Sequence, residues 1–157
     1  MKRTSLISLL ALLFVIILPA CQENEWADWK LQNEQWLETH KSDPGFKTTS
    51  SGIAYKVIYF GWSYGGKPSG NSIVVVNYKG TLIDGSIFDS VPAGKNAQLR
   101  VSETIAGWRE IVPTMFDDAI YKIYIPSKLG YDTASLNVKI PPHSVLIFDI
   151  NLNDFYN

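Results

Sequence analysis

The sequence predicts one α+β domain in which five short strands curl around one short helix. Three observations carry this prediction. From residue 52 onward, runs of β-branched and aromatic residues alternate with turns, which is typical of strands. Among them only residues 105–112 suit a helix, and the inner face of the sheet needs that helix to cover it. The length of 157 residues fits one hydrophobic core.

Residues 1–20 have the layout of a secretory signal peptide. Lys2 and Arg3 precede an apolar run over residues 6–18, and small residues then lead to Cys21. This apolar run is shorter than the roughly 20 residues that a membrane-spanning helix needs. A signal peptide is therefore favoured over the alternative of an N-terminal transmembrane anchor.

The residues Leu18-Pro19-Ala20-Cys21 resemble a bacterial lipobox, in which the cysteine is lipidated on its sulfur and becomes the new N-terminus. Cys21 is the only cysteine of the chain, so no intramolecular disulfide can form. We expect lipidation of Cys21 and attachment to a membrane through that lipid anchor, which places the protein in the cell envelope, on its periplasmic or surface face. Ordinary signal cleavage and a free cysteine are the alternatives.

Residues 22–41 approximate helical spacing with one apolar stripe, which predicts an N-terminal amphipathic helix. Its apolar side chains are Trp26, Trp29, Trp36 and Leu37. The helix either packs on the main domain or forms a homodimer through residues 22–41. Turn residues at 43–45 end the pattern. We therefore predict a lipid-anchored helical linker over residues 21–45 and a globular domain over residues 46–157.

The strands of the domain follow in order. They are predicted over residues 53–60, 73–82, 97–101, 119–125 and 145–152. Residues 61–71 are rich in glycine and predict a loop between the first two strands. The last two strands are almost wholly apolar, which indicates that they are buried or half-buried.

Four motifs in this region occur in the order of a known family. They are VVVNYKGTLIDGSIFDS at 74–90, TIAGW at 104–108, Ile125-Pro126 with Tyr131, and IPPH at 140–143 before LIFDINL at 146–152. Over residues 52–152 the chain thus resembles the FKBP-type peptidyl-prolyl cis-trans isomerases. The resemblance implies an antiparallel half-barrel sheet wrapped around one short helix. It also implies a folding catalyst for exported or envelope proteins.

The resemblance further implies a pocket for proline-containing polypeptides. The implied substrate-binding residues are Tyr78, Phe88, Trp108, Ile140 and Phe148. The implied catalytic residues are Asp89, Tyr131 and Ile105. The backbone N–H of Ile105 and the Tyr131 hydroxyl would steady the displaced carbonyl, while Asp89 pairs with Tyr78 to order the wall. For the large aromatic side chains a plain core role is the alternative.

Other functional classes fit the sequence less well. A formal net charge of −1 argues against nucleic acid as a partner. His40 and His143 have no ligands at metal-binding spacing, and no phosphate-cradling loop is present, so we expect no metal and no cofactor. Lys95, Thr104 and Asp132 depart from the family, and Asp132 replaces its glycine after the pocket tyrosine. Weak activity, a non-catalytic binding or chaperone module, and a purely structural envelope component therefore stay open.

Overall fold

The computed structural model describes residues 20–92, 94–133 and 139–156, with side chains from residue 26 onward. Helix α1 spans Ala20–His40 and helix α2 spans Ala106–Ile111. The strands are β1 Lys47–Thr48, β2 Ala54–Tyr59, β3 Ile73–Thr81, β4 Ile87–Ser90, β5 Ala97–Arg100, β6 Ile120–Ile125 and β7 Leu146–Tyr156. The predicted signal peptide lies outside the described residues except for Ala20, and so does the side chain of Cys21. No described helix combines the length and the apolar character needed to cross a membrane.

The strands form one antiparallel sheet with the order β1-β2-β6-β7-β3-β4, and β5 pairs with the same edge of β3 as β4 does. Strand β7 lies between β6 and β3 and pairs with β3 along its whole length. Register shifts interrupt the ladders of β2, β3 and β7. Such bulges bend strands and increase twist, which lets the sheet curve around a central element.

Helix α2 is that central element. Its Trp108 and Ile111 are buried in the main core together with side chains from β3, β6 and β7. Gly107 permits this close packing, because a Cβ atom at this position would lie 2.6 Å from the Cγ2 atom of Ile125 on β6. The architecture agrees with the predicted antiparallel sheet around one short helix.

Helix α1 packs on the domain, which is one of the two roles predicted for it. Trp36 and Leu37 contact a second apolar cluster on the sheet, which contains Ala54, Tyr124 and Ile147. Trp29 packs against the main core. The contact face is not purely apolar, because Asn33 lies in its middle and is buried.

The prediction of five strands was wrong. Strand β4 carries the Phe88-Asp89 motif but was too short to be recognised, since only Phe88 of its four residues is buried. Strand β1 has two residues, both exposed. Strand β7 continues past Leu152 to Tyr156 because Asp154–Tyr156 pair with the start of β3, although this end of the strand is polar.

Candidate active site

A cavity of about 310 Å³ opens between α2 and the inner face of the sheet. Its lining residues are Tyr78, Phe88, Asp89, Leu99, Glu103, Thr104, Ile105, Trp108, Tyr131 and Phe148. The volume lies near the lower end of the range for ligand sites in proteins, about 300–1,000 Å³. Its lining is mainly aromatic and aliphatic, with polar groups at few points, as is typical of such sites.

The floor of the cavity is built from edge-to-face aromatic contacts. The ring of Trp108 lies 5.2 Å from that of Tyr78 and 5.3 Å from that of Phe148, at interplanar angles of 81° and 80°. Phe88 meets Phe148 at 5.4 Å and 89°. This geometry is favourable because the positive ring edges face negative ring faces. Trp108, Phe88 and Phe148 also belong to the main core, so one set of rings both stabilises the fold and lines the cavity.

The wall on the sheet side is held by a hydrogen bond between two neighbouring strands. The Tyr78 hydroxyl on β3 donates to Oδ2 of Asp89 on β4 over 2.6 Å. The two strands are in register here, with Gly80 opposite Asp89. The Asp89 side chain is exposed to solvent and still accepts this hydrogen bond from Tyr78. Burial and the bond to Asp89 raise the pKa of Tyr78 above its ordinary value, so the hydroxyl stays protonated and oriented.

Another part of the lining is Tyr131, in the segment between β6 and β7. Burial, and then the charge of Asp89, raise the pKa of Tyr131 above its ordinary value. Its hydroxyl therefore carries a proton at neutral pH and can donate a hydrogen bond into the cavity. The next residue, Asp132, has a φ of 50°, and His143, whose N–H donates to the Asp132 carbonyl over 2.7 Å, has a φ of 64°. Glycine adopts such left-handed backbone at no steric cost, which fits the departure from the resemblance at position 132.

A sequence model of the FKBP-type peptidyl-prolyl cis-trans isomerases matches residues 65–153. The chain belongs to this family. It is 40% identical over 124 residues to the outer membrane protein MIP of Legionella longbeachae. This match covers 78% of the present chain and 52% of the MIP protein. It is 38% identical over 136 residues to the FKBP-type peptidyl-prolyl cis-trans isomerase FkpA of Escherichia coli K12, which covers 86% and 49% of the two chains.

The solved structures show the same relationship. The crystal structure of FkpA from Escherichia coli matches this FKBP chain with a TM-score of 0.79 and 36% identity, over 87% of this chain and 63% of that one. The predicted family and fold class are thus confirmed. The chain spans about half the length of the curated relatives it matches.

All the predicted pocket residues of this FKBP domain except Ile140 line the cavity. Ile140 is 6% exposed and belongs to the main core instead. Sequence reasoning missed Leu99 and Glu103, and named Thr104 only as a departure from the family. Leu99 carried a usable signal, because Ala97 and Leu99 are the half-buried residues that alternate with exposed ones along β5.

The titratable side chains of the FKBP domain form no metal centre in the described part of the chain, where no group of three or more His, Cys, Asp or Glu residues is placed to hold an ion. The polar groups at the cavity are a paired tyrosine and carboxylate, a second tyrosine, a threonine and Glu103. These residues can bind and orient an uncharged group and can exclude water from it.

Proposed function

We propose that the chain is a peptidyl-prolyl cis-trans isomerase that acts on proline-containing polypeptides in the cell envelope. The observation that carries this proposal is the aromatic cavity over Trp108, with Tyr131 among its lining residues. The two relatives named above support the activity and the compartment, because one is named as an isomerase of this type and the other as an outer membrane protein.

The reaction needs rotation of an amide bond and no proton transfer. An X-Pro bond faces a barrier of about 18–20 kcal/mol because the planar amide must lose its resonance. An enzyme that accelerates rotation about 10⁴-fold has to remove roughly 5 kcal/mol of this barrier. It can do so by binding the twisted amide better than either planar form.

The cavity offers the parts that such binding requires. The rings of Phe88, Trp108 and Phe148 can hold the proline ring and take the amide out of water, which disfavours the polar planar form most. The Tyr131 hydroxyl and the backbone N–H of Ile105 would donate to the displaced carbonyl. Asp89, through its bond to Tyr78, would keep the sheet wall, formed by Tyr78, Phe88 and Asp89, in place. A substrate-binding role of Ile140 stays a prediction.

The first test is isomerisation of a panel of X-Pro peptides by the full chain, beside Tyr131→Phe and Asp89→Ala. We expect acceleration that both substitutions reduce, while the matched control Asp28→Ala on the exposed face of α1 leaves the rate unchanged. Folding of each variant is checked by circular dichroism. The absence of any acceleration by the unmodified chain at micromolar concentration would refute the proposed activity.

The proposal for the N-terminal region is that residues 1–20 are a signal peptide, that Cys21 is lipidated, and that residues 21–45 link the lipid to the domain. It is supported by the lipobox-like sequence and by the docking of α1 on the domain. Mass spectrometry of the protein from membranes should find acyl chains on Cys21, and Cys21→Ser should release the protein from the membrane fraction. An unmodified N-terminal cysteine would contradict the proposal.

Dimerisation through residues 22–41 also stays a prediction, which sedimentation velocity tests.

A second candidate function, binding of unfolded polypeptides without turnover, is favoured by an exposed aromatic surface outside the cavity. Phe60, Trp62 and Tyr64 follow β2 and are 56%, 59% and 100% exposed. A backbone bridge between Trp62 and Asp117 holds this loop in place. If apolar segments of unfolded chains bind here, Trp62→Ala with Tyr64→Ala should weaken suppression of aggregation and leave peptide isomerisation unchanged. An equal loss of both activities would contradict a separate binding surface.

A further inference from the structure

Helix α1 meets the segment 141–145, which leads into β7, through two hydrogen bonds in a buried junction. The indole N–H of Trp29 donates to the Ser144 hydroxyl over 3.0 Å. The backbone N–H of Val145 donates to Oδ1 of Asn33 over 2.8 Å. Asn33 is 1% exposed and Ser144 is 3% exposed. Buried polar groups are costly unless paired, so these two bonds select one register between the helix and the segment.

The amide of Asn33 is oriented by its own helix. Its Nδ2 atom donates to the backbone carbonyl of Trp29 over 2.8 Å, which directs Oδ1 outward to Val145. The Ser144 hydroxyl in turn donates to the carbonyl of Pro141 over 2.6 Å. The Asn33 amide and the Ser144 hydroxyl are therefore already fixed in direction, and the bond between Ser144 and Pro141 closes the segment 141–145 into a turn next to α1.

The held segment is hydrogen-bonded to the loop wall of the cavity, which consists of Tyr131 and the residues beside it. The backbone N–H of His143 donates to the carbonyl of Asp132 over 2.7 Å, and Asp132 is the residue after Tyr131. His143 and Asp132 both have left-handed backbone conformations, which most side-chain-bearing residues avoid. The Asp132 N–H also donates to the Ser127 carbonyl over 2.8 Å, so Asp132 lies between the turn after β6 and the segment that α1 holds.

We propose that Trp29 and Asn33 are positioning residues of the cavity: through the segment 141–145 and the His143–Asp132 bond, they hold Tyr131 at its wall. This inference rests on the proposed isomerase function for its effect on rate. It gives α1 a role beyond that of the proposed tether, because the same helix would also set the geometry of the pocket.

The first readout is the rate of isomerisation by the full chain. Asn33→Ala and Trp29→Phe, which keeps the aromatic ring and removes the N–H, should each lower kcat/KM about 10-fold, less than the roughly 100-fold that a 1 Å misplacement can cost. Gln32→Ala, at the adjacent exposed position of α1, is the matched control and should leave kcat/KM unchanged. All rates are measured well below the unfolding temperature of the least stable variant.

The second readout separates positioning from general destabilisation. In a Tyr131→Phe background the effect of Asn33→Ala should largely disappear, because residues that act through one group are not additive. Hydrogen exchange of the His143 amide, which makes no bond to α1, should accelerate in Asn33→Ala, while the amides of Val76 and Phe148 in the sheet should not change.

The outcomes are distinguishable. Additive effects of Asn33→Ala and Tyr131→Phe, or unchanged exchange at His143, overturn the positioning role. An unmodified chain without isomerase activity, but with faster exchange at His143 in Asn33→Ala, overturns the proposed function and supports the coupling of α1 to the loop wall. Reduced kcat/KM with a non-additive cycle and faster exchange supports both.

Discussion

The two walls of the cavity differ in how they are held. The sheet wall, formed by Tyr78, Phe88 and Asp89, is part of paired strands, and its rings reach into the main core. The loop wall, formed by Tyr131 and the segment around it, is irregular backbone. Tyr131 packs against the main core, the Asp132 N–H donates to the Ser127 carbonyl and the His143 N–H to the Asp132 carbonyl, and the segment 141–145 is bonded to α1. The sheet wall is thus held by strand pairing, whereas the loop wall has individual bonds, some of which come from a helix outside the sheet.

This difference predicts separate consequences for damage to each wall. Substitutions in the sheet wall or its floor remove packing that the folded state needs, so stability and activity should fall together. Substitutions in the loop wall change the position of one hydroxyl and little buried surface, so activity should change with small effects on stability. The variants below test whether the two walls can be separated in this way.

The largest expected effect is that of Trp108→Ala, at the floor on which the sheet wall packs. Truncation of a buried aromatic residue lowers the free energy of unfolding by about 3–5 kcal/mol, because it removes contacts and leaves a cavity. The matched control is Trp62→Ala, where the indole is 59% exposed and the expected change is within about 0.5 kcal/mol. Urea denaturation of both variants gives the comparison, and equal losses would show that Trp108 is not part of a well-packed floor.

The next effect is that of Gly80→Ala, within the sheet wall itself. A Cβ atom at Gly80 would lie 2.6 Å from the ring of Phe88 and 2.9 Å from that of Phe148, so both rings must shift. Overpacking of this kind costs about 1–3 kcal/mol. At Gly70 a Cβ atom meets nothing within 4 Å, so Gly70→Ala should leave the midpoint of thermal unfolding unchanged or raise it. A tolerated alanine at position 80 would show that the wall is loosely packed.

The sequence predicted the sheet wall better than the loop wall, for a physical reason. Tyr78, Phe88 and Asp89 lie within one continuous motif, so the resemblance implies their contacts even though β4 was not predicted as a strand. The bond between Asn33 and Val145 joins residues 112 positions apart, and no short-range pattern carries it. Asn33 was overlooked because it interrupts a stripe that was recognised by its tryptophans. The resemblance places Ile140 in the pocket, but its buried side chain is not among those that line the cavity, and its role stays a prediction.

A smaller effect distinguishes the two tyrosines of the walls at alkaline pH. The pKa of Tyr78 is raised by burial and by its bond to Asp89, and that of Tyr131 by burial and the charge of Asp89. Because the folded-state pKa lies above the unfolded value, the stabilisation is fully present below about pH 10 and is lost as the pH rises through the folded-state pKa. Tyr78→Phe should flatten this loss by at most about 1.4 kcal/mol per pH unit. Tyr131→Phe should flatten it by less, because its pKa is raised without a hydrogen bond to Asp89.

Denaturation curves between pH 8 and 11 would measure these slopes, with Tyr64→Phe at a fully exposed position as the control. A larger change for Tyr131→Phe than for Tyr78→Phe would show that the bond to Asp89 does not dominate the sheet wall.

The smallest effect on stability is that of Asp132→Gly. Here stability and kcat/KM should change in opposite directions, unlike in the sheet wall, where both should fall. A left-handed backbone conformation costs a residue with a side chain roughly 1–2 kcal/mol, and a glycine at the same position relieves this strain. The larger entropy of glycine in the unfolded chain offsets about 0.5–1 kcal/mol of the stability gained in this way. Asp132→Gly should therefore raise the free energy of unfolding by about 0.5 kcal/mol. The same substitution loosens the backbone next to Tyr131, so kcat/KM should fall while stability rises.

The control for this sign change is Asp118→Gly, which replaces another left-handed residue, with a φ of 60°, that does not line the cavity. It should show the gain in stability without the loss in rate. If Asp132→Gly destabilises the protein, the Asp132 side chain contributes contacts that the backbone argument omits. If it stabilises the protein and leaves kcat/KM unchanged, the packing of Tyr131 against the main core is enough to keep its position, and the conformation of residue 132 does not affect the cavity.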